Sequence, residues 1–316
     1  MPASPPTICA ACGSNATLHC AGCLNPPAYL PGHTISAAYC TRACQKRHWP
    51  VHKHVCKVMA QRNKLHRAAR VLKTALLTYR ATLYDIALTK IDLRDGTLYL
   101  HQEARDPGTR AHYPEHLTTI PEEREAALCV NQCTAAMVLL SGLIRGLLAG
   151  MDTRIEFMDL QIEKKPRPTR LVPGPDPTGC PHTVLVVTMR LSGEEWVLDP
   201  TGGQYGYREV LVPFRQYLED REARPWGYPV PYDATETSDL DFLVGLSGLG
   251  ARRRDLEVET RARAHFAGFV RDNVGKEMWE GSADEFEKRL EGFDRRLKEH
   301  LLEFRVWGVV AQGRFS

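Results

Sequence analysis

Seven of the ten cysteines lie between Cys9 and Cys56, and they fall into close pairs with one histidine: Cys9-x2-Cys12, Cys20-x2-Cys23, Cys40-x3-Cys44 and His52-x3-Cys56. Zinc takes four nitrogen or sulfur ligands in a tetrahedron, and a Cys-x2-Cys turn presents two thiolates to one ion. Eight ligands therefore make two closed sites, which are structural because no coordination position stays open for a substrate. So short a segment buries too little apolar surface to fold alone, so metal binding supplies its folding energy. A second set of residues has a different chemistry. Cys133, His182 and Asp199 supply, in that order, a nucleophile, a base and a group that orients the base. Cys180, beside His182, is a competing thiol. Cys129, one turn before Cys133, is a candidate redox partner.

The elements that must position the second set are legible. Pro121 with Glu122 and Glu123 suits the first turn of a helix. The polar Asn131-Gln132 step interrupts it, and Cys133 then opens a second, apolar helix that ends at Gly150. A thiol at a helix N-terminus has its thiolate favoured by the dipole. Thr153 to Ile162 is a strand, and His182 to Leu191 is a buried strand with His182 at its start. After the Ser192-Gly193 turn, Glu195 to Leu198 forms a strand with Asp199 at its end. Antiparallel neighbours of nearly equal length place His182 and Asp199 at the same edge of the sheet. The bland alternatives are that Asp199 satisfies the Thr201-Gly202-Gly203 turn, that His182 caps a strand, and that the cysteines are small buried hydrophobes.

Elsewhere, apolar residues from Leu65 to Ile86 recur every three or four positions, which predicts a long amphipathic helix over Val58 to Lys90. The stretch Glu163 to His182 holds six prolines and reads as an exposed loop. From Asp239 onward the pattern is helical. A Ser282/Glu285 capping box precedes the stripe Phe286, Leu290, Phe293, Leu297, Leu301 and Phe304, a core-facing helix or, failing that, a coiled-coil partner. Residues 1–84 contain 11 Lys and Arg and no acid; the remainder carries 30 basic against 38 acidic residues. Such asymmetry suggests modules with separate partners. At 43% hydrophobic and 25% charged residues the composition excludes a wholly disordered or fibrous chain. The longest apolar stretch, Met137 to Ala149, is interrupted by Arg145 and too short to span a bilayer. Met1 to Thr7 shows no secretory signal, so an intracellular protein with reduced thiols, in cytoplasm or nucleus, is expected.

With Tyr39-Cys40, Cys44-Gln45, Trp49 and His52-Lys53 before Cys56, residues 9–56 resemble a MYND-type zinc finger. That resemblance implies interleaved pairing, with one structural zinc on Cys9, Cys12, Cys40 and Cys44 and the other on Cys20, Cys23, His52 and Cys56. His48 and His54, and more remotely His33, are the substitutes for His52. It also implies a protein partner, often a short Pro-containing peptide. Nucleic acid is the alternative partner for so basic a segment. Residues Pro121 to Phe214 resemble the transglutaminase-like branch of the papain-type cysteine enzymes: Cys133, Ala136, Leu143, Arg145, Gly150 and Arg154, then His182 and Asp199-Pro200. Arylamine N-acetyltransferases share the order and match less well. Val184 departs from the aromatic residue that often follows the His, and Gln132 is the one candidate for an oxyanion donor. Together these imply an α+β chain: a two-zinc finger (1–57), a helical linker (58–120), a transglutaminase-like domain of helices and antiparallel sheet (121–232) and a helical C-terminal segment (233–316). The expected function is cysteine-dependent acyl transfer or amide hydrolysis, with the finger binding a partner. The alternatives are a catalytically inactive MYND adaptor and a nucleic-acid-binding regulator.

Overall fold

The computed structural model describes residues 8–30, 36–175, 179–240 and 250–312, so His33 lies outside the described residues. Helix and sheet are mixed, as expected for an α+β chain. In the finger, β1 (Leu18–His19) and β2 (Ala38–Tyr39) pair as a short antiparallel ribbon. Helix α1 (Arg42–Thr82) follows without a break. Thr41 caps it by accepting the Cys44 amide at 3.2 Å. The helix therefore begins inside the finger, and no break occurs at residue 57. Leu65, Ala68, Ala69, Leu72, Leu76 and Tyr79 form its buried stripe.

The helix also ends earlier than its apolar period predicts. Residues expected to continue it form instead β3 (Ala87–Arg94), which pairs antiparallel with β4 (Thr97–Glu103). Asp95 (φ +49°) and Gly96 (φ +74°) make the two-residue turn between them. Asp-Gly is the pair that a hairpin turn with two positive φ angles requires, and this local demand ends the helical stretch. The Pro-rich stretch is likewise not all loop. β6 (Thr169–Val172) lies between Pro168 and Pro173 and pairs parallel to β4. Its prolines sit at the strand ends, where a missing N–H is tolerated.

Helices α2 (Pro121–Cys129), α3 (Cys133–Leu139) and α4 (Ser141–Leu148) replace the two helices expected from Pro121 to Gly150. Asn131 takes a left-handed φ of +56° and makes the first interruption; Leu140, at φ −83° and ψ 4°, makes the second. The main sheet is antiparallel throughout, in the order β10 (Ala223–Pro225), β5 (Thr153–Ile162), β7 (His182–Met189), β8 (Glu194–Leu198), β9 (Leu211–Pro213), with β11 (Val230–Pro231) also on β5. Helix α5 (Phe214–Asp220) follows β9. Alternate residues of β7 face opposite sides. Leu185 and Val187 join the main core with Trp196 of β8 and with α1, α3, α4, α6 (Gly250–Asn273) and α7 (Ala283–Gln312). Val184 and Val186 join Met158, Leu160 and Tyr217 of α5. Ser282 and Glu285 exchange their capping bonds ahead of α7, and the Phe286 to Leu301 stripe is buried.

The charge asymmetry closes on itself. Arg62, Arg70, Lys73 and Arg80 of α1 pair with Glu194, Glu287, Glu125 and Asp85. Arg67 donates to the carbonyls of Trp279 and Gly281. The Arg62–Glu194 pair is buried, with Arg62 Nε 2.9 Å from Glu194 Oε2, and Trp196 Nε1 is 3.4 Å from the same oxygen. A buried charge that loses its partner costs about 3–5 kcal/mol. Glu194→Ala is therefore expected to lower the denaturant-unfolding free energy by about that amount, against less than about 1 kcal/mol for the exposed acid in Arg215–Glu219. Equal losses at the two sites would show that Glu194 is screened by water. No helix among the described residues is long and apolar enough to cross a membrane.

Candidate functional site

In the finger the ligands gather into two groups, Cys9, Cys12, Cys40 and Cys44, and Cys20, Cys23, His52 and Cys56. Sulfur separations are 3.5 Å for Cys12–Cys40 and Cys40–Cys44, 3.8 Å for Cys12–Cys44 and 3.6 Å for Cys20–Cys56. A tetrahedron with Zn–S bonds of about 2.3 Å has S–S edges of about 3.8 Å, so the donor sets fit zinc in size and softness. Each pair is local in origin. Cys9 and Cys12 flank a turn closed by Gly13 at φ +75°. Cys20 and Cys23 flank a single 3-10 turn. His52 and Cys56 are one turn apart on α1 and face together. Gly22 leaves the room that Cys56 needs, since a Cβ there would meet its sulfur at 3.0 Å. The substitutes for His52 are occupied elsewhere or turned away. His48 Nδ1 lies 3.1 Å from the Tyr39 hydroxyl, and His54 is exposed.

The second set also assembles. His182 opens β7 and is fully buried; Asp199 follows β8 and is 2% exposed. The ladder pairs Leu185 with Leu198, which brings the two residues to one end of the sheet. His182 Nε2 lies 2.9 Å from Asp199 Oδ2. The Cys133 side chain, at the start of α3, is near enough to the same imidazole for the two groups to shift each other's protonation. Since Nε2 is engaged by Asp199, Nδ1 is the nitrogen left to face other partners, and Gln204 Nε2 lies 3.4 Å from it.

The electrostatics follow from this chain of contacts. Burial would raise the Cys133 thiol. The His182 hydrogen bond and charge, with the Thr183 and Thr134 backbone amides, outweigh it and bring the thiol from 9.0 to about 7. Burial would lower His182, but the Asp199 charge and hydrogen bond, with the contribution of Cys133, lift it from 6.5 to about 10. Asp199, despite its burial, is held well below the usual carboxylate range by His182 and the Tyr217 hydroxyl. Both shifts favour the thiolate–imidazolium form of the pair.

Asp199 satisfies both readings of its role, with one oxygen for each. Oδ1 accepts the Thr201 amide and hydroxyl, each at 3.0 Å, and so closes the turn. Oδ2 accepts His182 and the Tyr217 hydroxyl at 2.8 Å. Three supporting residues carried no signal in the sequence. Tyr217 comes from α5. Arg221 stacks against Tyr217 and Tyr207, 3.9 and 4.1 Å from their ring centroids. Gln204 puts its amide nitrogen 3.4 Å from His182 Nδ1, while its oxygen takes the Asn131 amide at 3.2 Å. Gln132, the expected oxyanion donor, is half-buried and caps α3 with its backbone. The other thiols stand apart. Cys129 is buried at the end of α2, donates to the Pro200 carbonyl, and is pushed up by burial. Cys180 is exposed.

Compared with known proteins, residues 9–56 match the MYND finger family. These residues are a MYND zinc finger. No curated protein and no solved structure matches the chain. Two structural zinc sites of the interleaved pattern complete the finger; MYND fingers generally mediate protein–protein interactions.

Proposed function

We propose that residues 121–232 form a transglutaminase-like domain that uses Cys133, His182 and Asp199 for acyl transfer or amide hydrolysis, while the MYND finger binds a protein partner through a Pro-containing peptide. The observation that carries the first half is the buried Asp199–His182 hydrogen bond, with the neighbouring half-buried Cys133 thiol lowered by that imidazole. Cys133 thiolate attacks an amide or ester carbonyl. His182 Nδ1 gives its proton to the leaving nitrogen or oxygen as that bond breaks, leaving an acyl-thioester. His182 then takes a proton from water or an amine, whose attack releases the acyl group and restores the thiolate. Asp199 holds the imidazole and balances its charge. Gln204, whose oxygen takes the Asn131 amide and whose NH2 lies beside His182, is the donor we assign to the carbonyl oxygen as it becomes negative. A peptide is favoured over nucleic acid because four of the 11 cations of residues 1–84, Arg62, Arg70, Lys73 and Arg80, are already neutralised inside the fold.

The test is the pH profile of Cys133 carboxamidomethylation by iodoacetamide, read on the Cys133 peptide by mass spectrometry. Half-maximal rate is expected near pH 7 rather than 9. At pH 7 the larger thiolate fraction, offset by lower intrinsic nucleophilicity, leaves a gain of about tenfold over an ordinary thiol. A profile centred near 9 would remove the catalytic reading and leave an inactive adaptor.

A further inference from the structure

The rim of the Cys133 site carries cations that the proposed chemistry does not use. After β5 the chain runs Glu163-Lys164-Lys165-Pro166-Arg167, with two Lys and one Arg around a single acid. None of the three cations makes an ion pair among the described residues. This contrasts with α1, whose Arg62, Arg70, Lys73 and Arg80 are paired with acids. The segment is tied to the site through Tyr205. Lys165 Nζ stands 5.1 Å from the Tyr205 ring centroid, and that ring meets the His182 imidazole edge-on at 5.1 Å. The Arg167 amide donates to the Tyr205 carbonyl at 3.0 Å. Gly206, at φ +90°, lets the two segments close, since a Cβ there would meet the Arg167 backbone nitrogen at 3.0 Å. Arg167 Nε is buried with no hydrogen-bond partner among the described residues.

Among the acids bordering the triad, Asp159, which accepts the Thr183 hydroxyl at 2.6 Å, has no cation partner among the described residues and offsets part of these charges; the others are matched elsewhere. Asp199 is matched by His182, Glu125, which abuts Gly203, is held by Lys73, and Glu209 lies 3.9 Å from Arg221. Two steps of 5.1 Å put the Lys165 charge within about 10 Å of the imidazole, roughly one Debye length at 0.1 M salt. Such a charge acts on what arrives at the thiol and is sensitive to ionic strength.

We propose that Lys165 and Arg167 form an anion-recognition rim of the Cys133 site, so that the substrate carries a carboxylate close to the carbonyl that the thiol attacks. The rim rests on the catalytic reading above. It is a specificity device: the cations hold the carboxylate, and the triad performs the chemistry.

Two alkylating reagents test it, because iodoacetate is an anion and iodoacetamide its neutral counterpart. The readout is the ratio of their rates at Cys133. In the wild type at about 20 mM salt the ratio is expected to exceed that of a free cysteine by about threefold or more, and to fall to the free-cysteine value at about 500 mM. Lys165→Gln with Arg167→Gln should lower the low-salt ratio about threefold. Lys165→Glu, a change at one half-buried surface side chain, keeps the question open if the double variant fails to fold, and should lower the ratio further. A wild-type ratio equal to that of free cysteine at low salt, or one that neither variant moves, overturns the rim while an activated thiol toward iodoacetamide would still stand. A thiol no more reactive than free cysteine toward iodoacetamide overturns the triad and the rim with it.

Discussion

Cys20→Ser is expected to leave the protein with one zinc ion per chain instead of two. Cys20, Cys23, His52 and Cys56 form a closed set, and a serine hydroxyl does not replace a thiolate on zinc. Structural zinc contributes about 10–16 kcal/mol of apparent binding energy, which in so small a module is folding energy. The loss should therefore be local and large. The turn at Cys20–Cys23 should lose hydrogen-exchange protection, and the Cys9/Cys12/Cys40/Cys44 site should keep its ion. The sheet around β5, β7 and β8 has its own core and should stay protected. Metal analysis after gentle purification reads the count, and Cys180→Ser is the control because that thiol is exposed and outside both sets. Two zinc ions retained in Cys20→Ser would break the ligand assignment. Loss of both would mean that α1, which carries ligands of both sites, couples them into one folding unit.

The contrast between what the sequence disclosed and what it concealed has a physical pattern. The zinc ligands were legible because metal-site chemistry imposes short spacings on the chain itself. Cys133, His182 and Asp199 were legible because a helix start, a strand start and a strand end are local signals, and antiparallel pairing relates the last two. The Asn131-Gln132 interruption and the Ser282/Glu285 box were legible for the same reason. The helix over 58–90 was misjudged because Leu83 and Ile86 continue its apolar period by coincidence, while the Asp95-Gly96 turn beyond them dictates a hairpin. β6 was hidden because prolines flank it and its partner, β4, is distant in sequence. Tyr217, Arg221 and Gln204 were missed because only tertiary folding brings them to Asp199 and His182. The charge division suggested separate partners, yet α1 finds its acids in β8, α2 and α7 of the same chain.

Asp199→Asn is expected to slow Cys133 alkylation at pH 7 by about tenfold or more, the equivalent of at least one pKa unit or about 1.4 kcal/mol. The geometry says how. In the variant the remaining oxygen best serves Thr201, which offers two donors at 3.0 Å. The new amide then points its NH2 at His182 Nε2 and the Tyr217 hydroxyl, where Oδ2 stood. Nε2 must accept, so the ring proton moves to Nδ1, and a neutral imidazole protonated there cannot take the thiol's proton. Loss of the carboxylate also removes the largest influence lifting His182 to about 10, so at pH 7 the imidazolium is lost and Cys133 returns toward 9.0. The sign gives a pH check. The deficit should be greatest near pH 7, where the wild-type pair is ionised and the variant's is not, and should shrink above about pH 9, where any thiol ionises. Stability should fall as well, by about 1–3 kcal/mol, because a buried carboxylate with four hydrogen-bond donors is disturbed. Structure and chemistry thus meet in one side chain, and the alkylation profile separates them. A variant that lost stability but kept wild-type reactivity at pH 7 would make Asp199 a turn residue alone, and the chain a MYND adaptor whose second domain is a scaffold.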